Sequence, residues 1–344
     1  MSPPPDRQAG PLESTLYEVK RIIVGQDSLL ERMAVALLSG GHLLVEGVPG
    51  LAKTLAVKSL AAAVGGQFQR VQFTPDLVPA DLTGTRVFRQ HTGEFATQLG
   101  PVFANLLLAD EINRAPAKVQ SALLEVMQEH QVTIGRETFP VPEPFLVMAT
   151  QNPIESEGTF PLPEAQVDRF MMKVIVDYPS QAQEHAIVDR ALRPAEAVRA
   201  ILSPEALIRM QAEAREVYAD PGIIEYAVRL VTATRRPDAA GLGELKRYVS
   251  YGASPRASIA LVTGGQALAF MRGRDYVLPD DITDIALDVL RHRLVLSYEA
   301  LADDVTADAI ITRLLDAVAV PEVVSAGPAG QASRPAAPPE PHDG

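Results

Sequence analysis

Residues 47–54 read Gly-Val-Pro-Gly-Leu-Ala-Lys-Thr. A short apolar run at residues 42–46 precedes this stretch, and a helical pattern at residues 55–61 follows it. This order of strand, glycine-rich turn and helix is the setting of a phosphate-binding loop, because backbone N–H groups in the turn and at the helix N-terminus attract an anion. The stretch therefore predicts nucleotide binding. A purely structural glycine turn is the alternative.

Individual side chains of this loop have predicted roles. Lys53 is expected to contact the β- and γ-phosphates, and the Thr54 hydroxyl is expected to bind Mg²⁺. Ala52 stands where the usual pattern has glycine, which predicts either an ordinary φ at Ala52 or a loop that tolerates a methyl group. A tight apolar turn at residues 23–26 is expected to form one side of the pocket for the base of the nucleotide. Simple packing of apolar side chains is the alternative. The residues expected to bind the nucleotide are Val24, Gly25, Gly47, Val48, Pro49, Gly50, Leu51, Ala52, Lys53, Thr54 and Leu55.

Length and composition narrow the class of protein. A chain of 344 residues, 47% hydrophobic and 22% charged, is typical of a globular protein with two domains. The net charge of -12 disfavours a broad nucleic-acid or anionic-membrane surface, because phosphate binding needs clustered Lys and Arg. The absence of cysteine excludes disulfides and thiolate metal sites, and it fits a cytoplasmic location. No apolar run approaches the roughly 18–20 residues of a membrane helix.

The pattern along the chain predicts four segments. Residues 1–11 and 321–344 are rich in small residues and proline and are expected to be disordered tails. Residues 12–178 alternate short apolar runs with helical patterns, which is typical of an α/β domain with a buried parallel sheet. Residues 179–320 show helical patterns throughout and predict a smaller all-α domain. Within the α/β domain, residues 86–97 and 131–141 each predict a β-hairpin.

An acidic pair follows the apolar run at residues 106–109. Asp110 is expected to hold Mg²⁺ through water, and Glu111 is expected to orient and polarise the attacking water. Buried carboxylates at this place are costly unless a cation or hydrogen bonds compensate them. Together with Lys53 and Thr54, the pair predicts hydrolysis of ATP with Mg²⁺. A helix cap after a strand is the alternative.

Three further polar residues are candidates for the same site. Asn152 ends the next apolar strand and is placed to bond the γ-phosphate or the water, although Asn-Pro alone is typical of a turn. Arg169 precedes the last predicted strand, where it would reach a neighbouring subunit's nucleotide unless it is merely a surface cation. Arg256 lies in the first turn of a predicted helix, where the helix dipole disfavours a cation. A nearby phosphate would remove that conflict, and full solvation of the side chain is the alternative.

In this order, the motifs resemble the AAA+ ATPases of the MoxR type. The resemblance covers about residues 12–320, and alanine at position 52 fits this family. The matching stretches are residues 23–26, 47–54, 108–115, 149–153, 162–170 and 254–257.

The resemblance implies a fold, an assembly and a division of roles. The fold is a parallel five-stranded sheet of the ASCE P-loop class, flanked by helices and followed by a smaller all-α lid, and the assembly is a homo-oligomeric ring, usually a hexamer. Glu111 is then the catalytic Walker B glutamate, Asn152 is sensor 1, Arg169 is a finger acting in trans, and Arg256 is sensor 2. Residues 86–103 correspond to the helix-2 insert, and residues 131–141 to the pre-sensor hairpin.

The resemblance also implies chaperone-like work. The expected activity is remodelling, maturation or activation of a client protein or metalloenzyme complex, together with a partner that carries a von Willebrand factor A (VWA) domain. A magnesium-chelatase-like or nucleic-acid-translocating motor is the second hypothesis, and the few basic residues in the hairpins (Arg86, Arg89 and Arg136) disfavour DNA. A scaffold that binds ATP without turnover is the third, and the presence of every expected catalytic residue disfavours it.

Overall fold

The computed structural model describes residues 10–48, 50–91, 93–152, 158–194 and 196–321. The strands are β1 Leu43–Gly47, β2 Phe68–Gln72, β3 Gly84–Arg89, β4 Glu94–Leu99, β5 Leu106–Asp110, β6 Gln131–Ile134, β7 Glu137–Pro140, β8 Leu146–Gln151, β9 Met172–Val176, β10 Val249–Tyr251 and β11 Val295–Leu296. The α-helices are α1 Pro11–Lys20, α2 Asp27–Ser39, α3 Lys53–Ala63, α4 Pro79–Thr83, α5 Ala117–Glu129, α6 Glu164–Val167, α7 Gln181–Ala191, α8 Pro204–Arg215, α9 Pro221–Arg235, α10 Pro255–Met271, α11 Pro279–Leu290, α12 Tyr298–Ala302 and α13 Ala307–Ala317.

The central sheet has five parallel strands in the order β2-β5-β8-β1-β9. This confirms the predicted α/β fold with a five-stranded parallel sheet. The strands end at one edge: Gln72 pairs in register with Asp110, and Glu46 pairs with Gln151. Because ligands of such sheets bind beyond the carboxyl ends of the strands, this edge is where a site is expected.

Both faces of the sheet are covered, as an all-parallel sheet requires. On one face, Leu43, Val45 and Leu108 pack into a cluster shared with α2, α3 and the helices that follow β9. On the other face, Leu107 and Val147 pack against α5 and the β6–β7 hairpin. The near-continuous apolar runs of β5 and β8 therefore supply side chains to both layers at once.

Two antiparallel hairpins extend from the α/β domain. One pairs β3 with β4 and the other pairs β6 with β7, which confirms both hairpin predictions. In the second, Thr133 and Thr138 hydrogen-bond across the strands at 3.1 Å.

The helices after β9 fall within residues 179–320, the range predicted for the smaller domain, and are here called the lid. In the described residues of the lid, the exceptions to the all-helical prediction are one short antiparallel pair, β10 with β11, and an isolated bridge between Tyr218 and Tyr276. Strands of three and two residues are too short to produce a periodic signal. Helix α1 begins at Pro11, one residue before the predicted start of the α/β domain. The predicted tails lie outside the described residues, except for residues 10, 11 and 321.

No helix in the described part of the chain is long and apolar enough to cross a membrane.

Candidate active site

The turn between β1 and α3 has a backbone that few residues tolerate. A Cβ on Gly47 would lie 2.6 Å from the carbonyl oxygen of Val176, so glycine lets β9 approach closely. Gly50 has a φ of +87°, and Ala52 has a φ of 57° and a ψ of 15°. Of the two expectations for Ala52, an ordinary φ is wrong, and the loop tolerates the methyl group. The left-handed conformation costs an alanine about 1 kcal/mol.

Helix α3 begins at Lys53, directly after this turn, so its first N–H groups face the same edge of the sheet. Lys53 Nζ donates a hydrogen bond to the carbonyl oxygen of Gly47 at 2.7 Å. Burial lowers the pKa of the Lys53 ammonium group, and the charges of Asp110 and Glu111 oppose that shift. Lys53 therefore lies between the loop backbone and the acidic pair, where a phosphate group could join it.

The acidic pair is held in place by β8. Thr150 Oγ1 donates to Asp110 Oδ1 at 2.6 Å and accepts from the backbone N–H of Glu111 at 2.9 Å. Glu111 has a φ of 56°, a second non-glycine residue in the left-handed region at this site. Thr150 was not predicted as a site residue. A single polar residue near the end of an apolar strand does not indicate which neighbouring strand or side chain it contacts.

Strand β2 contributes two more side chains that the sequence interpretation missed. Arg70 Nη2 donates to Asp110 Oδ2 at 2.6 Å, and Arg70 Nε donates to the same oxygen at 3.1 Å. Gln72 Nε2 donates to Glu111 Oε2 at 2.6 Å. Each carboxylate thus has a partner on the neighbouring strand. The alternation along β2 would identify both residues once β2 is known to lie beside β5.

A single cleft of about 410 Å³ joins the phosphate loop, the acidic pair and Asn152. Its volume is within the range of small-molecule sites. The residues that line it are Gly47, Gly50, Leu51, Ala52, Lys53, Thr54, Leu55, Arg70, Gln72, Asp110, Glu111, Thr150 and Asn152. Most of the predicted nucleotide-binding and catalytic residues therefore lie together.

Four predicted nucleotide-binding residues are not in this lining. Val48 packs against the core beneath the loop. Val24 and Gly25 lie in the turn between α1 and α2, where a Cβ on Gly25 would be 2.6 Å from the Gln183 side chain of α7. Pro49 lies outside the described residues.

The two predicted arginines lie away from the cleft. Arg169 is exposed, and its Nη1 donates to the carbonyl oxygen of Leu124 at 3.2 Å, beside a second cleft of about 700 Å³ against α5 and β6. Arg256 Nη1 lies 3.3 Å from Asp168 Oδ2. A carboxylate, which was not among the expectations, therefore compensates Arg256 at the N-terminus of α10.

The oxygen ligands available in the cleft fit a magnesium ion that is shared with a nucleotide. Thr54 offers a hydroxyl and Asp110 a carboxylate. Among the described residues, no three or more His, Cys, Asp or Glu side chains lie together in a way that could hold a metal ion. Mg²⁺ that is bound by one or two protein oxygens, by phosphates and by water needs no such group.

Comparisons with known proteins agree with this geometry. A family model described as "ATPase family associated with various cellular activities (AAA)" matches residues 42–172, and an AAA lid domain model matches residues 245–314. Chaperone MoxR1 of Mycobacterium tuberculosis is 58% identical over 313 residues, which are 91% of this chain and 83% of that protein. Protein MoxR of Methylorubrum extorquens is 31% identical over 315 residues, with coverages of 85% and 90%.

A crystal structure from Cytophaga hutchinsonii shares the fold along nearly the whole chain. It is 47% identical, and the superposition gives a TM-score of 0.87 over 91% of this chain and 95% of that one. Identity at this level across both domains confirms the predicted family. The chain therefore belongs to the MoxR-type AAA+ ATPases, enzymes that bind a nucleotide and hydrolyse ATP.

Proposed function

We propose that this ATPase works as a homo-oligomeric ring in which each active site lies between two subunits, and that ATP hydrolysis drives remodelling of a client protein. The observation that carries the proposal is the division of the predicted residues. The phosphate loop, Asp110, Glu111 and Asn152 line one cleft, whereas Arg169 is exposed beside another. An exposed arginine that lies outside its own subunit's cleft is available to a neighbouring subunit.

The residues of the cleft have separate roles in binding the nucleotide and in hydrolysing it. The loop N–H groups and Lys53 bind the phosphates, and Asn152 bonds the γ-phosphate. Thr54 and Asp110 would hold Mg²⁺, which when bound supplies positive charge against the phosphate oxygens. Glu111 orients the attacking water and accepts its proton. Arg169 of the adjacent subunit stabilises the charge that develops in the transition state.

Chaperone-like activity is supported by the relatives and by one surface. The 58% identical relative is named Chaperone MoxR1. On the β3–β4 hairpin, Phe88 and Phe95 are 51% and 59% exposed and their ring centroids are 5.2 Å apart. Aromatic side chains are enriched at protein–protein interfaces relative to the rest of the surface. The hexameric ring, a VWA-domain partner and a cytoplasmic location rest on family resemblance and composition.

Substitution of Glu111 tests the hydrolytic role. Glu111→Gln is expected to retain ATP binding, because the loop is unchanged, and to lower the steady-state rate of phosphate release by at least about a hundredfold. Glu225→Gln, at an exposed position on α9, is the matched control and should keep the wild-type rate. An unchanged rate in Glu111→Gln would disprove the assigned role.

Mixed rings test the trans role of Arg169. Arg169→Ala and Lys53→Ala subunits are each expected to be inactive alone. When mixed, Arg169→Ala sites should regain activity beside Lys53→Ala neighbours, which still carry Arg169. If no mixing ratio restores activity, the hypothesis of an active site shared between two subunits is wrong.

A nucleic-acid motor is the alternative function. ATP hydrolysis that is stimulated by DNA, with a steep dependence on salt concentration, would favour it.

A further inference from the structure

The segment that carries Arg169 is bonded to the lid chiefly by Arg293, a buried arginine whose side chain is 2% exposed. His292 Nε2 also lies 3.1 Å from the carbonyl oxygen of Phe170. The guanidinium group of Arg293 donates to the carbonyl oxygens of Asp168 at 3.0 Å, Phe170 at 2.7 Å and Met171 at 3.0 Å. Its Nε also donates to Asp168 Oδ1 at 2.8 Å. Three backbone carbonyls within four consecutive residues are therefore fixed by one side chain, and Arg169 lies between them.

The carboxylate of Asp168 has two further partners on the lid. Ser254 Oγ donates to its two oxygens at 3.0 and 2.8 Å, and Arg256 Nη1 lies 3.3 Å from Oδ2. Ser254 also caps α10 by accepting a hydrogen bond from the backbone N–H of Arg256 at 3.2 Å. Asp168, Ser254, Arg256 and Arg293 are called the Asp168 network below. Through Asp168, this network joins Arg256 to the segment that carries Arg169.

Stability alone does not account for such an arrangement. Desolvating a guanidinium group and a carboxylate costs several kcal/mol, and apolar residues of similar volume often stabilise a protein at least as well. The planar, multiply donating guanidinium group has a property that apolar packing lacks, because it fixes the directions of several acceptors at once. Here those acceptors are the backbone on either side of Arg169.

We propose that Asp168 and Arg293 are positioning residues that hold Arg169 in the place from which it serves the neighbouring subunit. The proposal rests on the proposed trans role of Arg169.

The test uses the mixed rings with one further substitution. In the reference mixture, Arg169→Ala subunits act as acceptors and Lys53→Ala subunits donate Arg169. Asp168→Asn, which keeps the shape and removes the charge, is added either to the donor or to the acceptor. In the donor it is expected to lower the restored rate at least tenfold, with an unchanged KM for ATP. In the acceptor, whose own segment contributes no arginine, it should change the restored rate less than threefold.

Control variants separate positioning from folding. Asp189→Asn, at an exposed position on α7, is the matched control and should not alter either arm. Melting temperature and ring assembly are measured for every subunit. Ser254→Ala removes one donor to Asp168 but leaves the backbone contacts of Arg293, so it provides a milder second donor variant with an expected loss of about threefold.

Each outcome decides the question. Loss in the donor arm alone supports the proposal. Equal loss in both arms would show that the Asp168 network is a general structural element, and no loss in either arm would show that Arg169 is positioned without it. If the reference mixture itself regains no activity, the trans role is wrong and the positioning proposal is wrong with it.

Discussion

Lowering the pH from 7 to 5 is expected to destabilise the α/β domain through one histidine, His42, which is buried directly before β1. Its Nδ1 accepts a hydrogen bond from the backbone N–H of Val147 at 3.0 Å, so its Nε2 carries the proton and donates to the carbonyl oxygen of Met127 at 3.1 Å. A second proton on Nδ1 would face another N–H group. Protonation therefore costs a hydrogen bond as well as desolvation.

The size of the effect follows from the pKa of His42. Burial lowers that pKa from 6.5 to about 4, and the nearby His130 adds to the shift. Between these values the unfolded chain binds a proton that the folded protein does not, so stability falls as the pH falls and levels off below about 4. At about 1.4 kcal/mol per pKa unit, His42 accounts for a loss of about 2 kcal/mol between pH 7 and pH 5.

The assay compares wild type with His42→Asn in urea. Circular dichroism is the suitable probe, because the chain has no tryptophan. The asparagine oxygen can still accept from Val147 N–H but does not titrate, so the variant is expected to be less stable at pH 7 and to lose about 2 kcal/mol less than wild type on going to pH 5. The pKa of His292, which is half-buried, is also lowered by desolvation, but this histidine is present in both proteins and its contribution cancels in the comparison. Equal losses in the two proteins would refute the reasoning.

Three further substitutions test the cleft and the contact between the domains. Lys53→Ala is expected to weaken ATP binding at least tenfold in calorimetry, because the phosphates lose their ammonium partner; unchanged affinity would contradict its placement. Asn152→Ala should lower kcat by about ten- to a hundredfold in phosphate-release assays with little change in KM, whereas a change in KM alone would indicate ground-state binding. Buried Arg32 on α2 forms ion pairs with Asp284 and Asp288 of the lid, so Arg32→Met should lower the free energy of unfolding, measured in urea, by about 3 kcal/mol. A loss under about 1 kcal/mol would show that these carboxylates are solvated instead.

The phosphate loop and the acidic pair could be predicted because each follows directly on a visible apolar run. Lys53 and Thr54 lie after β1, Asp110 is the last residue of β5, and Glu111 follows it. The carboxyl ends of parallel strands lie at one edge of the sheet, so these residues are expected to lie together. Asn152 follows from the same rule applied to β8. Local pattern and shared sheet edge were sufficient for these residues.

The partners of the acidic pair could not be predicted in this way. Only the order of the strands in the sheet places Arg70 and Gln72 beside β5. Strand order depends on how helices pack across the whole sheet, which no short pattern encodes. The same holds for Asp168, which lies 88 residues from Arg256 in the chain. The sequence indicated a conflict between Arg256 and the helix dipole, with a phosphate or full solvation as the expected resolutions, and no local pattern indicated Asp168 as the partner.

The left-handed backbone at Glu111 has a consequence for genetics. Asparagine and glycine adopt that conformation readily, whereas β-branched residues are strained there. A single nucleotide change converts a glutamate codon to a glycine codon, so mutations at this position can yield subunits that fold and bind ATP but do not hydrolyse it. In a ring built as proposed, such subunits would assemble with wild-type copies and disable shared sites. When expressed beside the wild-type gene, Glu111→Gly is therefore expected to be dominant, whereas substitutions that prevent folding are expected to be recessive.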